Sequence, residues 1–231
     1  MTYIFSVEGN IGSGKSTLVK ELQKNMPNVL GKQIIYVQEP VDEWSKIKDS
    51  NGETILEKFY ANQDKYAFSF QMMAYISRLA LLRRVIRENP NAIIITERSV
   101  FTDKEVFAKM LYDEGKIEEV DIQIYLKWFN EFIEEIPVTG LIYVNTTPEK
   151  SKERVNIRAR NGETIPLSYL QRCHQYHTTW INKFKKQVCI FDGNVDFKDA
   201  LTYDAIELVT SFIIRHVDPE RDPHMYTMCT S

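Results

Sequence analysis

Residues Gly9-Asn10-Ile11-Gly12-Ser13-Gly14-Lys15-Ser16 fit the spacing G-x-x-x-x-G-K-[ST]. They stand between an apolar run, Tyr3 to Val7, and an amphipathic segment, Thr17 to Lys24. Strand, glycine-rich loop, helix is the context in which this pattern carries meaning. Glycines let the backbone turn its N–H groups inward onto phosphate oxygens. A helix that starts near Lys15 adds the positive end of its dipole. Lys15 then places a compact charge on the outer phosphates, and the Ser16 hydroxyl is suited to ligate Mg²⁺. The bland alternative is a glycine-rich turn with no ligand. The loop implies a nucleoside triphosphate but not what is done with it.

Four more short apolar runs follow: Gln33–Val37, Ala92–Thr96, Gly140–Val144 and Val188–Phe191. Helical patterns separate them. Near-continuous apolar strands alternating with helices predict a five-stranded parallel sheet covered on both faces. The expected architecture is α/β, a three-layer fold of the P-loop NTPase type. In such sheets ligands gather at the carboxyl ends of the strands. Gln38-Glu39-Pro40 follows the second run, and Glu97-Arg98-Ser99 follows the third. Two carboxylates, Glu39 and Glu97, should therefore meet on the rim that holds the triphosphate. A carboxylate after a single strand is more often a turn or cap residue.

Composition limits the alternatives. The chain has 231 residues, net charge −3, and 43% hydrophobic and 26% charged residues. It is long enough for one sizeable α/β domain. No global basic signature points to nucleic acid. No apolar run approaches the ~20 residues that span a bilayer. Three cysteines, Cys173, Cys189 and Cys229, form neither a disulfide framework nor a metal pattern. The first apolar run lacks a basic leader and flows into the glycine loop. A secretory signal is not expected, and a cytosolic location is.

The segment Asn62 to Arg87 reads as one long helix closed by Pro90. Its apolar residues point almost all round, which predicts a largely buried helix. Gln71, Ala74 and Arg78 share a face by their i, i+3, i+7 spacing. A buried charge needs a partner or a ligand, and Asp103 is the natural partner for Arg78. This set is either a structural pair with a satisfied amide or a polar reader for a small planar ligand. Lys152, Arg154, Arg158 and Arg160 follow the fourth run. They form either a solvated face or a flap that closes on phosphates. Cys173, His174 and His177 lie close together, yet nothing completes a metal set. Trp128, Phe129, Phe132 and Ile133 read as core or subunit interface. The chain from His216 on reads as an irregular, mobile tail.

Several motifs together resemble the deoxynucleoside kinase family, the group that includes the deoxycytidine, deoxyguanosine and insect multisubstrate kinases. They are Glu8 through Ser16, Glu39-Pro40-Val41 with Trp44, Phe70-Gln71, Glu97-Arg98-Ser99, Arg158-Ala159-Arg160-Asn161 with Ile165-Pro166-Leu167, and Asp196-Phe197-Lys198-Asp199. The resemblance implies a kinase domain over residues 1–217, a lid at about 150–165 and a tail at 218–231. Glu39 looks like the general base for the nucleoside 5′-hydroxyl, with Arg98 and Lys15 on the transferred phosphoryl group. Ser16 and Glu97 look like the Mg²⁺ side. The loop from Gly9 to Thr17 looks like the cradle for ATP. Arg154, Arg158 and Arg160 look like the lid over its phosphates, and Asp196 and Phe197 like part of the adenine loop. Gln71 looks like the reader of the base edge. Trp44, Phe70 and Phe107 look like walls of the nucleoside slot, and Tyr60 with Glu163 like the grip on the 3′-hydroxyl. Thymidine-preferring relatives have small or apolar residues where this chain has Arg78 and Asp103. Deoxycytidine and deoxyguanosine kinases have Arg and Asp there, with Ala matching Ala74. The resemblance thus implies deoxycytidine and purine deoxynucleosides over thymidine, in nucleotide salvage, by a homodimer joined through the long apolar helices. The lid departs from close relatives in being one residue shorter at Asn161-Gly162-Glu163-Thr164.

Two rivals remain on sequence. A nucleoside-monophosphate kinase of the thymidylate kinase kind shares the plan, but it needs basic residues for the acceptor's phosphate where this chain has Glu39. A non-catalytic nucleotide-binding scaffold would lose Glu39, Lys15 or Arg98, and all three are present. A regulatory GTPase lacks support, since no Asn-Lys-x-Asp reader occurs.

Overall fold

The computed structural model describes residues 1–160, 163–195 and 203–221. Five strands run parallel, as the apolar runs predict: β1 (Tyr3–Gly9), β3 (Lys32–Val37), β4 (Ile93–Glu97), β5 (Val138–Asn145) and β6 (Val188–Asp192). A sixth strand corrects the expected count of five. It is β2 (Asn28–Val29), which pairs antiparallel with the start of β3. Leu30 and Gly31 close this hairpin with φ 52° and 72°. Positive φ at both positions is what a primed two-residue turn requires. Two residues carry no apolar period, so the strand leaves no trace in the sequence pattern. The sheet order is β2-β3-β4-β1-β5-β6.

Side chains alternate across the sheet, and both faces are apolar. Phe5 and Val7 of β1 pack with Leu18, Val19 and Leu22 of α1 (Lys15–Asn25) and with Phe212 of the last helix. Ile4 and Ile94 face the other way, toward Ala74, Tyr75 and Leu79. Those residues belong to the long helix, Gln63–Glu88. This period-two burial with a helix layer on each face is the parallel-sheet solution. Three helices lie between β3 and β4: α2 (Val41–Trp44), α3 (Ile55–Ala61) and the long α4. Thr54 and Glu57 form a reciprocal capping box at the start of α3. Asn62 caps α4, its side chain accepting from the Lys65 amide at 3.2 Å. The expected all-round burial of α4 is only partly realised. Ala67, Phe70, Gln71, Ala74, Tyr75, Arg78, Leu79 and Leu82 are buried, while Ile76 is 41% exposed.

After β4 the chain makes α5 (Val100–Thr102), a π-helical stretch Asp103–Ala108, then α6 (Lys109–Asp113) and α7 (Glu119–Phe132). Helix α8 (Pro148–Arg158) follows β5, with Thr147 as cap and Pro148 at its first position. Helix α9 (Leu167–Lys183) leads to β6, and α10 (Tyr203–Val217) packs back on the sheet beside α1. Pro219–Arg221 forms a 3₁₀ turn. The rest of the expected tail, and Cys229, lie outside the described residues.

Gly140 of β5 sits where the sheet and α10 approach most closely. A Cβ there would meet Phe212 Cζ at 2.8 Å and Phe5 Cδ1 at 3.3 Å. Gly140→Ala should therefore cost about 1–3 kcal/mol by overpacking. A thermal melt at unchanged midpoint would show that this contact is slack.

Candidate active site

The carboxyl ends of β1, β3 and β4 open into one cavity of about 600 Å³. The glycine loop forms one end. Gly9 takes φ 146°, and a Cβ there would lie 2.6 Å from the Val144 carbonyl oxygen. No other residue fits at that crossing. Gly14 precedes α1 with φ 100°, no side chain caps the helix, and its first turn has no acidic residue. That end is thus left for an anion. Lys15 is buried and its Nζ donates to the Asn10 carbonyl at 2.6 Å. Burial, then the neighbouring Arg98 guanidinium, lower the Lys15 ammonium to about 7, against the pull of Glu97 and Glu39. The Ser16 hydroxyl donates to Glu97 Oε1 at 2.6 Å. Behind the loop, Asn10 Nδ2 donates to the Leu170 carbonyl at 2.8 Å and Thr146 Oγ1 to the Ser13 carbonyl at 2.9 Å.

The opposite end is acidic and aromatic. Arg78 is 2% exposed, and its guanidinium does more than pair with the expected Asp103. Nε donates to Asp103 Oδ2 at 2.8 Å, Nη2 to Glu39 Oε1 at 2.7 Å, and Nη1 to the Glu97 carbonyl at 3.1 Å. Arg98 Nε lies 3.5 Å from the same Glu39 oxygen. Burial alone would raise Glu39, but Arg78 and Arg98 overrule it and hold the carboxyl down at about 2. Arg98 adopts φ 63°, a left-handed conformation that costs a non-glycine residue on the order of 1 kcal/mol. Its guanidinium lies 4.9 Å from the Phe107 ring centroid, and Nη1 is buried without a partner. Asp103 and Phe107 both come from the π-helical stretch, whose wider turn aims them at the cavity.

Trp44, Phe59 and Phe70 build an aromatic wall. Phe59 stacks on Phe70 at 4.5 Å, and Trp44 meets Phe70 edge-on at 5.7 Å. Trp44 Nε1 donates to Ser77 Oγ at 2.8 Å, which fixes the indole on α4. Gln71 is 2% exposed, and its Oε1 has no partner. A buried acceptor in that state is costly unless a ligand donor meets it. The structural-pair reading of the α4 face therefore covers Arg78 and Asp103 but leaves Gln71 to a ligand. Ala74 lines the cavity beside it, as do Tyr60 and Glu163 at the far side. Burial and then Glu163 raise the Tyr60 hydroxyl above its ordinary range.

The lid arginines divide. Arg158 ion-pairs with Glu163, and Arg160 lines the cavity. Arg154 donates to the carbonyls of Ser13, Gly193 and Val195 at 3.1, 2.6 and 2.8 Å. It joins the glycine loop to the turn after β6 and also lines the cavity, the place where sequence suggested a cation facing phosphate. Asp196 and Phe197 lie outside the described residues. The Cys173–His177 cluster is structural. Both are buried, His177 Nδ1 sits 2.8 Å from the Cys173 carbonyl, and burial keeps the imidazole neutral. Among the described residues no group of three or more His, Cys, Asp or Glu could hold a metal, and no helix is long and apolar enough to cross a membrane.

Sequence reasoning missed several wall residues. Val41 and Leu56 lie on the short helices α2 and α3, and Tyr169 on the first turn of α9. The Thr54…Glu57 capping pattern was a readable sign of α3. Glu8, fully buried beneath the loop, was read only as part of a motif.

A phosphate cradle and an aromatic-walled slot with a carboxylate between them define a phosphotransferase site for an uncharged acceptor. The deoxynucleoside kinase family model matches residues 5–214. A probable deoxycytidine kinase of fowlpox virus is 36% identical over 203 residues, covering 84% of this chain and 80% of that protein. Human deoxycytidine kinase is 32% identical over 240 residues, covering 90% of each. The mitochondrial deoxyguanosine kinase of Xenopus laevis is 30% identical over 202 residues, covering 79% and 74%. The chain belongs to the deoxynucleoside kinase family, and it is a deoxynucleoside kinase.

A polyanion on the loop should restore the full charge of Lys15. Binding of tripolyphosphate at pH 8 should take up close to one proton, seen as a buffer-dependent heat in calorimetry, because a pKa of about 7 leaves the amine mostly neutral there. The uptake should vanish in Lys15→Met, and equal heats in all buffers would refute it.

Proposed function

We propose that this enzyme moves the γ-phosphoryl group of ATP to the 5′-hydroxyl of a deoxynucleoside. Deoxycytidine and the purine deoxynucleosides are favoured over thymidine, and the product enters nucleotide salvage. The observation that carries this reading is Glu39. Its carboxylate stands between the phosphate loop and the aromatic slot, gripped by Arg78 and approached by Arg98. Arg78 is thereby committed to carboxylates, and Glu39 offsets the charge of Arg98, whose Nη1 is left for the transferred group. A monophosphate acceptor would need free cations at that place, which disfavours the thymidylate kinase rival.

In this reading Lys15, the loop amides and the lid residues Arg158 and Arg160 hold the triphosphate, while Arg154 keeps the loop in shape. Arg98 Nη1 is aimed at the transferred group. The 5′-oxygen attacks phosphorus, the bond to the β-phosphate oxygen breaks, ADP leaves, and Glu39 takes the hydroxyl proton. A carboxylate held near 2 is a weak base. It suffices because phosphoryl transfer is loose and the nucleophile's proton leaves late, so orientation matters more than basicity. Mg²⁺, which needs only one or two protein oxygens beside phosphate and water, would neutralise charge on the triphosphate when bound. The Ser16 hydroxyl and the Glu97 carboxylate, 2.6 Å apart, suit it. Gln71 reads the base edge, and its unpartnered oxygen calls for a donor there. Tyr60 and Glu163 hold the 3′-hydroxyl. Asp103, held by Arg78, and Ala74 line the base end of the cavity, the set that goes with a preference against thymidine. A cytosolic location belongs to the same reading and is supported by the free, buried Cys173 and Cys189.

Initial rates with the four deoxynucleosides and ATP·Mg²⁺ test the assignment. Deoxycytidine should lead and thymidine trail. Glu39→Gln should lower kcat by about 100-fold with a smaller effect on KM for ATP. A variant that turns over at the parental rate removes the general base. Glu39 should give kcat/KM no limb between about pH 4 and 6, because it protonates only near 2; a limb there that persists in Glu39→Gln belongs to another carboxylate, such as Asp103, which burial pushes up.

The enzyme is also proposed to be a homodimer through α4 and α7. Val120, Ile124 and Trp128 recur every fourth residue on α7 and are 66%, 41% and 43% exposed, with Ile76 of α4 at 41%. Tyr75 of α4 donates to the Trp128 carbonyl at 2.9 Å, so the two helices carry one apolar face. Light scattering should give twice the chain mass, and Ile124→Glu with Trp128→Glu should halve it. A parental monomer would overturn the proposal.

A further inference from the structure

We propose that Glu8 is a positioning residue for Arg98. Glu8 is the penultimate residue of β1, is fully buried, and forms no ion pair among the described residues. A carboxylate in that setting is costly unless hydrogen bonds replace its water. Four donors do so. Oε1 accepts from Ser6 Oγ at 2.6 Å, the Ser99 amide at 3.0 Å and Ser99 Oγ at 2.7 Å, and Oε2 accepts from Thr102 Oγ1. Three of the four come from the turn just after Arg98. The fit is specific, since charge-assisted bonds of this kind lock direction as well as distance.

The consequence falls on Arg98. Its own amide donates to the Val7 carbonyl at 3.0 Å. Its carbonyl accepts from Thr96 Oγ1 at 2.9 Å. The amide that follows it is the one held by Glu8. Both peptide planes flanking Arg98 are thus pinned, which fixes the φ of 63° that a free chain would avoid. With that backbone held, the guanidinium lies across Phe107 at the cavity wall, and its Nη1 is left buried without a protein partner. Stability alone would be served as well by an apolar set that replaced Glu8 together with its side-chain donors. The bonds instead tie the strand that carries the phosphate loop to the turn that carries the arginine. Glu8 therefore sets the distance between the two halves of the phosphoryl site without touching substrate.

This inference rests on the reading of Arg98 as a contact of the transferred phosphoryl group. A double-mutant cycle on the full chain separates the two. Glu8→Leu leaves the Ser99 amide unsatisfied and should lower kcat about 10- to 100-fold, with KM for ATP within about twofold. Glu8→Gln keeps the Oε1 acceptor and should stay within about threefold of the parent. In an Arg98→Ala background, Glu8→Leu should add no further loss, because the group it positions is gone. If Glu8→Leu does not fold by circular dichroism, Glu8→Asp, which withdraws the carboxylate by one methylene, runs the same cycle. Losses that multiply, or a Glu8→Leu or Glu8→Asp enzyme at parental kcat, overturn the positioning role. Arg98→Ala at the parental rate overturns the reading of Arg98 itself, and the Glu8 inference with it.

Discussion

The site depends on one buried guanidinium. Arg78 reaches Asp103, Glu39 and the Glu97 carbonyl from a single planar fork. No lysine could do this, since a point charge lacks the divergent donors. The three partners come from the turn after β3, the end of β4 and the π-helical stretch. Arg78 itself comes from α4. Four elements thus converge on one side chain that is 2% exposed. Removing it would strand two carboxylates in a dry setting, a loss on the order of 3–5 kcal/mol. Stability alone does not call for such a knot. It does set the height and angle of Glu39, and Glu39 stands where acceptor and phosphate must meet.

The sheet supplies the frame for that convergence. Its order places β1 between β4 and β5, so the glycine loop emerges beside the turn that carries Arg98. Both faces are apolar and covered, which leaves only the carboxyl edge for polar chemistry. At that edge the packing is close enough to forbid a side chain at Gly9. The helix dipole of α1, the loop amides and Lys15 then act on the same small volume. A buried lysine lowered to about 7 is held for an anion to recharge. The fold thus spends its rigidity at one rim.

Much of this was legible in the sequence because the signals are local and periodic. The five parallel strands announce themselves as apolar runs, and α4 by its length and the Pro90 that closes it. The Arg78–Asp103 pair followed from a charge inside an apolar helix face and the rule that buried charges find partners. What stayed hidden is non-local or lacks a pattern. Strand β2 is two residues long. The π-helical stretch that aims Asp103 and Phe107 has no composition of its own. The bond from Arg78 to Glu39 spans 39 residues and depends on how α4 crosses the sheet. Arg154 looked like one of a set of lid cations, yet three backbone carbonyls claim it. Sequence shows that a cation is present but not what it donates to.

Charge balance decides what the acceptor slot accepts. Around it Arg78 and Arg98 face Glu39, Glu97 and Asp103, and Lys15, lowered to about 7, carries only part of its charge before an anion arrives. An acceptor that already carried a phosphate would bring its charge against Glu39, where Arg78 and Arg98 are already engaged. A sugar hydroxyl brings none, and in the proposed reading its proton goes to Glu39. At the other end the triphosphate adds negative charge that the loop amides, Lys15 and the lid must absorb. Arg158 is bound to Glu163 in the present arrangement. In the proposed reading Glu163 is also the group offered to the sugar. A nucleoside that engages Glu163 would compete for that carboxylate and so loosen Arg158 toward the phosphates. Acceptor and donor would then be sensed together through one shared ion pair, which is how a small lid can delay closure until both are in place.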